Sequence, residues 1–103
     1  MEKGHTEAVS RLYRAILTLH TDEECRHFFD DICTVKEIQD LAQRLEVASM
    51  LSAGKNYQEI SRETGASTAT ICRVNKCLLY GDGGYKTVLS RIDQKGETQN
   101  DPV

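Results

Sequence analysis

The sequence predicts an all-α protein, and three observations support this fold class. Apolar residues recur at helical spacing through most of the 103-residue chain. Residues that begin and end helices stand between these segments, and the chain contains a single proline. No stretch alternates apolar and polar side chains as a half-buried strand would. We therefore expect one helical domain over residues 1–93, followed by a polar, disordered tail over residues 94–103.

The first two predicted helices carry wide apolar faces. One spans about residues 6–19, and the other begins at Thr21 or Asp22 and ends near Asp31. Their apolar side chains are Val9, Leu12, Tyr13, Ile16 and Leu17, followed by Cys25, Phe28, Phe29 and Ile32. A chain this short has little surface with which to cover them. A second copy of the chain is the simplest cover, and folding back onto the chain's own core is the alternative.

A long third helix is predicted over about residues 35–53. Thr34 and Glu37 have the spacing of a capping box at its start, and Gly54 ends it. Its apolar stripe consists of Ile38, Leu41, Ala42, Leu45, Ala48 and Leu51. Near the end of the chain, residues 81–84 form a glycine-rich break. A last helix is predicted over about residues 85–93, with Tyr85, Val88, Leu89 and Ile92 on its apolar side.

Residues 57–79 are the most informative part of the chain, because they predict two short helices joined by a tight turn. Gly65 allows the positive φ that ends a helix sharply, and Ser67 is placed to cap the second helix. Ile60 anchors the first helix. The inward face of the second helix consists of Ile71, Val74 and Leu78. This pattern is typical of a helix-turn-helix motif, whose second helix enters the DNA major groove; a hairpin that only packs is the alternative.

The outward side of the second helix supplies the candidate DNA contacts. Small and hydroxylated side chains approach base edges closely, and basic side chains bind phosphates. The residues expected to read or approach bases are Thr68, Ala69, Thr70 and Arg73. Those expected to contact phosphate or fix the register are Lys55, Tyr57, Gln58, Arg62 and Lys76. Cys72 lies on the same outward arc, where oxidation of its thiol would affect DNA binding.

The distribution of charge agrees with this location of the DNA-binding surface. The formal net charge is −3, but residues 54–80 carry four basic and two acidic side chains. The excess is small, so we expect few phosphate contacts and modest non-specific affinity. The acidic remainder of the chain would discourage indiscriminate binding to nucleic acid.

The sequence gives little support to a membrane or secreted protein, a metal-binding protein or an enzyme. There is no apolar run long enough to span a membrane and no signal peptide, so we expect a cytoplasmic, nucleoid-associated protein. The four cysteines form no CxxC pair, which favours reduced thiols used as small apolar residues over a metal site. No nucleophile is organised around the histidines, and no phosphate loop is present. We therefore expect neither an enzyme nor a bound cofactor.

Several segments together resemble the Trp-repressor superfamily, and in particular its YerC/YecD branch of small bacterial proteins. The matching segments are residues 28–31, residues 41–48, the helix break at Gly54, and residues 64–73. The resemblance extends over roughly residues 8–93. It implies an all-helical, intertwined homodimer whose core is built from the N-terminal helices of both subunits. It also implies that the helix-turn-helix binds operator DNA, with Ala69 and Thr70 at positions that lie against base edges and Cys72 in place of a threonine.

The resemblance extends in part to the site at which the Trp repressor binds its co-repressor, tryptophan. Arg44 and Arg73 match the two arginines that flank the indole, and Thr34 matches the hydroxyl near the ligand carboxylate. However, Val74 replaces a glycine beside the ligand and Cys77 replaces the serine that meets its amino group. The valine would fill ligand volume, and the lost hydrogen bond would cost about 1.5–3 kcal/mol. Both changes oppose tryptophan.

Two other roles for the arginine pair stay open at this point. Arg44 could pair with Asp40 or Glu37 while Arg73 contacts a phosphate, or the two guanidinium groups could hold a different effector. The sequence as a whole predicts a homodimeric, sequence-specific transcriptional regulator, most simply a repressor, that binds a palindromic operator in double-stranded DNA. The alternatives are an interaction module that has lost specific DNA binding, and a repressor whose effector is not tryptophan.

Overall fold

A computed structural model describes residues 6–100, with side chains described for residues 6–93. Over this range the chain forms the helices α1 (Glu7–Leu17), α2 (Asp22–Ile32), α3 (Val35–Ser52), α4 (Tyr57–Thr64), α5 (Thr68–Tyr80) and α6 (Gly84–Asn100). No strand occurs within residues 6–100, and the predicted all-α fold class is confirmed. None of the helices in this range is long and apolar enough to cross a bilayer.

Side-chain caps begin the first three helices at or next to the predicted positions. The Thr6 hydroxyl accepts a hydrogen bond from the Val9 amide (3.2 Å), and the Thr21 hydroxyl accepts one from the Glu24 amide (3.0 Å). The predicted capping box at Thr34 is present. The Thr34 hydroxyl accepts from the Glu37 amide (3.1 Å), and the Glu37 carboxylate accepts from the Thr34 amide (2.8 Å). Each cap satisfies amide groups that would otherwise lack a partner within the helix.

The chain divides into two compact units, and the boundary lies between residues 38 and 39. The first unit contains α1 and α2, and neither helix buries a residue. Leu17 is 79% exposed and Tyr13 is 53% exposed, whereas Leu12, Ile16, Phe28 and Phe29 are half-buried, so the apolar face predicted for these helices is only partly covered in the single chain. The organisation of residues 1–93 as a single domain stays a prediction.

The second unit contains the buried core. Its fully or nearly fully buried residues are Val47, Ala48, Met50, Ile60, Ala66, Ile71, Val74 and Leu89. They come from the C-terminal half of α3, from α4, from the turn, from α5 and from α6. This shared burial joins the two helices of the helix-turn-helix to the helices that precede and follow them.

The apolar stripe predicted for α3 is only partly correct. Ala48 is buried and Leu45 and Leu51 pack against the core, but Leu41 is 46% exposed. Val47 and Met50 are buried although they were not assigned to the stripe. Periodicity predicts an apolar helix, but the core that α3 shares with α4, α5 and α6 decides which of its side chains become buried.

The end of the chain differs from the predicted boundary. Helix α6 extends to Asn100, past the end expected near residue 93. Side chains after residue 93 and the whole of residues 101–103 lie outside the description, so the disorder predicted for residues 94–103 stays a prediction. The glycine-rich break before α6 is confirmed, with Gly83 at a φ of 85°.

The four cysteines have free thiols, but they are not core residues. Cys25, Cys72 and Cys77 are exposed, and Cys33 is half-buried. The free thiols agree with the expected reduced state and Cys72 is exposed as predicted, but the exposure of Cys25 and Cys77 does not fit their expected use as small apolar residues in the single chain. The buried positions of the second unit are filled by alanine, methionine and branched aliphatic side chains, and the first unit buries no residue of α1 or α2.

Candidate nucleic-acid interface

Helix α4 begins with a capping box that the sequence reasoning missed. The Asn56 side chain accepts a hydrogen bond from the Glu59 amide (2.9 Å), and the Glu59 carboxylate accepts one from the Asn56 amide (3.2 Å). The spacing of an N-cap residue and a glutamate three positions later is visible in the sequence and could have located this helix start. The box fixes where the helix-turn-helix begins.

Gly65 ends α4 in the predicted way. Its φ is 76° and its ψ is 4°, and its amide donates to the Ser61 carbonyl at 2.8 Å. A Cβ built at this position meets nothing within 4 Å. The requirement for glycine is therefore conformational and not steric, because the left-handed region is costly for residues with a Cβ.

A set of side-chain hydrogen bonds holds the turn between the two helices. The Ser61 hydroxyl donates to the Ala66 carbonyl (2.9 Å), and the Ala66 amide donates to the Thr64 hydroxyl (3.1 Å). The Gln43 side chain, from α3, donates to the Thr64 carbonyl at 3.1 Å. These bonds satisfy polar groups around Ala66, which is only 2% exposed. The turn is therefore tied both to α4 and to α3.

Helix α5 has the inward and outward sides that the sequence predicts. The Ser67 hydroxyl caps it by accepting from the Thr70 amide (3.2 Å). Ile71 and Val74 are buried and Leu78 packs against the core. The outward residues Thr68, Ala69, Cys72, Arg73 and Lys76 are exposed. Their predicted arrangement is confirmed, and their contacts with DNA stay predictions.

Thr70 differs from the other candidate base-reading residues. Its side chain is half-buried, and its hydroxyl oxygen accepts a hydrogen bond from the Ser67 hydroxyl at 3.2 Å. The Thr70 O–H group still retains its own proton for donation. Thr70 is therefore part of the N-terminal cap of α5 as well as a candidate for contact with DNA.

Apart from Lys76 on α5, the side chains predicted to contact phosphate lie on α4 or just before it. Gln58 and Arg62 are exposed, and Tyr57 is half-buried against the core. The ammonium group of Lys55 is not free, because its Nζ lies 3.9 Å from a Glu63 carboxylate oxygen. An ion pair at this exposure is weak, but it reduces the positive charge that Lys55 offers to DNA.

Tyr57 joins α4 to the outward side of α5. Burial raises the pKa of its hydroxyl, and the neighbouring Cys72 thiol raises this pKa further, whereas a hydrogen bond with Asn75 lowers it. The Tyr57 hydroxyl is thus already hydrogen-bonded to the side chains of Cys72 and Asn75. Cys72 is consequently both exposed and close to the Tyr57 hydroxyl.

The five candidate effector residues are divided between the two units of the chain. Thr34 belongs to the first unit, where its hydroxyl caps α3. Arg44 is half-buried, Arg73 and Cys77 are exposed, and Val74 is 1% exposed within the core of the second unit. Glu37, one of the partners predicted for Arg44, is used by the capping box. Among the described residues, no group of three or more potential metal ligands comes together.

Similarity to known proteins extends over nearly the whole described chain. Residues 7–93 match the family described as Trp repressor protein. The uncharacterized protein YerC of Bacillus subtilis (strain 168) is 51% identical over 94 residues, which cover 91% of this chain and 90% of that protein.

Two solved structures have the same fold. A protein of Staphylococcus aureus, provisionally described as a Trp repressor, superimposes with a TM-score of 0.83 at 50% identity, covering 86% of this chain and 89% of that one. A TrpR-like protein of Eubacterium eligens ATCC 27750 gives a TM-score of 0.82 at 50% identity, with coverages of 85% and 91%. The sequence match and the structural matches agree, and the chain therefore belongs to the Trp repressor protein family.

Proposed function

We propose that this protein is a sequence-specific DNA-binding transcriptional regulator that represses by occupying an operator. The observation that carries the proposal is the orientation of α5. Its inward residues Ile71 and Val74 are buried, while Thr68, Ala69 and Arg73 are exposed at its outward, N-terminal side. A helix held in this way can enter a major groove without disturbing the core of the protein. Membership of the Trp repressor protein family supports the same function.

The proposed contacts fall into two groups. Ala69, Thr70 and Arg73 would read base edges in the groove, because small, hydroxylated and guanidinium side chains match those edges. Lys76, Arg62 and Gln58 would bind phosphates and set the register of α5. Since Lys55 lies close to Glu63, it would add less phosphate affinity than its charge suggests.

The functional form would be a homodimer. Helices α1 and α2 bury no residue within the chain, and large apolar side chains such as Leu17 and Tyr13 are exposed. Covering these side chains in a second copy would stabilise a protein of this size. A two-fold dimer would place its two α5 helices about 34 Å apart, one turn of DNA, and would require a palindromic operator. Sedimentation equilibrium tests this, and a monomer at micromolar concentration would contradict it.

Tryptophan would not be the co-repressor of this regulator. Val74, which stands in place of the glycine beside the ligand, is part of the packed core, and the Thr34 hydroxyl already caps α3. An effector of another kind, held by Arg44 and Arg73, is the alternative that the sequence leaves open. Isothermal titration with tryptophan tests the proposal: binding in the micromolar range would contradict it.

Selection of bound genomic DNA fragments, followed by sequencing, is the first test of the function. Enrichment of one palindromic sequence would support specific regulation. No enrichment, together with no mobility shift at low salt, would favour an interaction module that does not bind DNA. The selected operator then gives the probe for individual side chains.

Two variants distinguish base reading from phosphate binding on that operator. Thr70→Ala should cost about 1–3 kcal/mol of binding free energy at one operator position and relax specificity there. Lys76→Ala should instead weaken every sequence alike and lower the salt slope by about one. Uniform weakening by Thr70→Ala would count against its base-reading role, and its effect on the α5 cap is checked by urea unfolding.

A further inference from the structure

Gln43 is a polar side chain on the core-facing side of α3. Val47 and Met50, four and seven residues later, are buried in the core, so helical spacing places Gln43 on the same side of the helix one turn earlier. Gln43 itself is half-buried. A methionine of the same length would gain more from this burial, so the amide is accounted for by its hydrogen bond and not by packing.

The acceptor of that hydrogen bond is the carbonyl group at the end of α4. The Gln43 Nε2 atom donates to the Thr64 carbonyl oxygen at 3.1 Å, although the two residues are 21 positions apart. Thr64 is the last residue of α4, and the carbonyl groups in the last turn of a helix have no partner within that helix. Gln43 supplies the Thr64 carbonyl with a partner from α3.

Thr64 also holds the turn that leads into α5. Its hydroxyl donates to the Ile60 carbonyl (2.7 Å) and accepts from the Ala66 amide (3.1 Å). Ala66 directly precedes Ser67, the N-cap of α5. A displacement of the Thr64 backbone therefore reaches the start of α5 within three residues. The bond from Gln43 acts at the point where α3 can fix the position of both helices of the motif.

The bond from Gln43 differs from a bond within the helix-turn-helix. The Ser61 hydroxyl donates to the Ala66 carbonyl at 2.9 Å, which fixes the start of α5 relative to α4. The Gln43 bond instead fixes the α4–α5 pair relative to α3. The aliphatic contacts of the shared core specify this orientation less narrowly, because the hydrophobic effect is non-directional whereas a hydrogen bond weakens steeply when it is bent.

We propose that Gln43 is a positioning residue that sets the specificity of DNA binding from outside the DNA-contacting surface. The inference rests on the proposed function. By fixing the turn against α3, the Gln43 amide holds α5 at the angle and, in a dimer, at the separation that one operator requires. Base readout needs this alignment, whereas phosphates attract the same basic side chains in any register. Loss of the Gln43 bond therefore reduces specific binding and leaves non-specific binding unchanged.

Gln43→Met tests this role, because methionine keeps the length and the helix propensity of glutamine but has no donor. Affinity for the selected operator should fall about three- to tenfold, the equivalent of one hydrogen bond. Affinity for unrelated DNA, and its salt slope, should stay at the wild-type values. Gln39→Met is the matched control, since Gln39 is exposed one turn earlier on α3. Unchanged operator affinity, equal losses on operator and unrelated DNA, or equal losses in the two variants would overturn the proposal.

Operators with one base pair added or removed between the half-sites measure the alignment directly. The wild-type protein should bind these altered operators much more weakly than the selected one. In Gln43→Met the difference should shrink, because an α4–α5 pair that is not fixed to α3 can adjust to a changed separation. An equal loss of affinity at every spacing would indicate a purely structural role for Gln43 and refute the assignment. Urea unfolding shows that the variants compared are fully folded.

Amide hydrogen exchange tests the positioning bond in the absence of DNA. In Gln43→Met the Gly65 and Ala66 amides, which are bonded within the turn, should exchange several-fold faster. The Glu59 amide, in the cap at the other end of α4, should be unaffected. Unchanged exchange in the turn, or equal acceleration at all three amides, would contradict the proposal.

The outcomes on DNA separate this inference from the proposed function. Absence of any DNA binding by the wild-type protein would remove the proposed function and the inference with it. Operator binding by the wild-type protein, together with wild-type specificity in Gln43→Met, would remove only the inference.

Discussion

Substitution of Gly65 tests the geometry on which DNA binding depends. Gly65 has a φ of 76°, and an added Cβ would meet nothing within 4 Å. The cost of Gly65→Ala is therefore the conformational cost of the left-handed region, about 1–2 kcal/mol, with no clash. Gly65→Asn should cost less, because asparagine tolerates this region better. Urea unfolding gives the change in the free energy of unfolding, and fluorescence anisotropy gives operator affinity.

Gly54 provides the matched control, because its φ is 86° and its added Cβ would also meet nothing within 4 Å. Gly54→Ala should cost about the same free energy of unfolding, but it lies before α4 and outside the turn. We expect operator affinity to fall further in Gly65→Ala than in Gly54→Ala, because only the former strains the connection between α4 and α5. Unchanged stability in Gly65→Ala, or equal affinity losses in the two variants, would refute this reasoning.

Two further substitutions test the ends of the motif. Ser67→Ala removes the hydroxyl that accepts from the Thr70 amide and should lower the free energy of unfolding by about 1 kcal/mol. Ser67→Asp should retain most of the wild-type stability, because aspartate also caps helices. An unchanged urea midpoint in the alanine variant would show that the cap is dispensable. Glu63→Gln removes the carboxylate 3.9 Å from Lys55 and should raise DNA affinity about two- to fivefold, with a steeper salt dependence. Anisotropy titrations at several salt concentrations measure this effect, and a weaker or unchanged affinity would mean that Lys55 does not approach DNA.

The most accurate predictions from the sequence concern interactions between residues that are close together in the chain. A capping box, an N-cap serine and a glycine with positive φ act over three or four residues, so Thr34, Ser67 and Gly65 were identified correctly. The Asn56–Glu59 box has the same local spacing and is equally visible in the sequence. The inward face of α5 was also predictable, because Ile71 and Val74 repeat at helical spacing.

Tertiary packing decided which apolar residues of α3 became buried and how the polar groups of the turn were satisfied. Val47 and Met50 are buried because they belong to a core shared with residues of α4, α5 and α6, which periodicity along α3 does not reveal. The bond from Gln43 to the Thr64 carbonyl joins residues 21 positions apart, so it forms only when α3 and the turn come together. Caps and turns are local interactions, whereas burial and concave surfaces depend on which distant segments come together. The sequence by itself therefore determined the helices and the motif, and only the folded chain determined the core and the shape of the candidate binding surface.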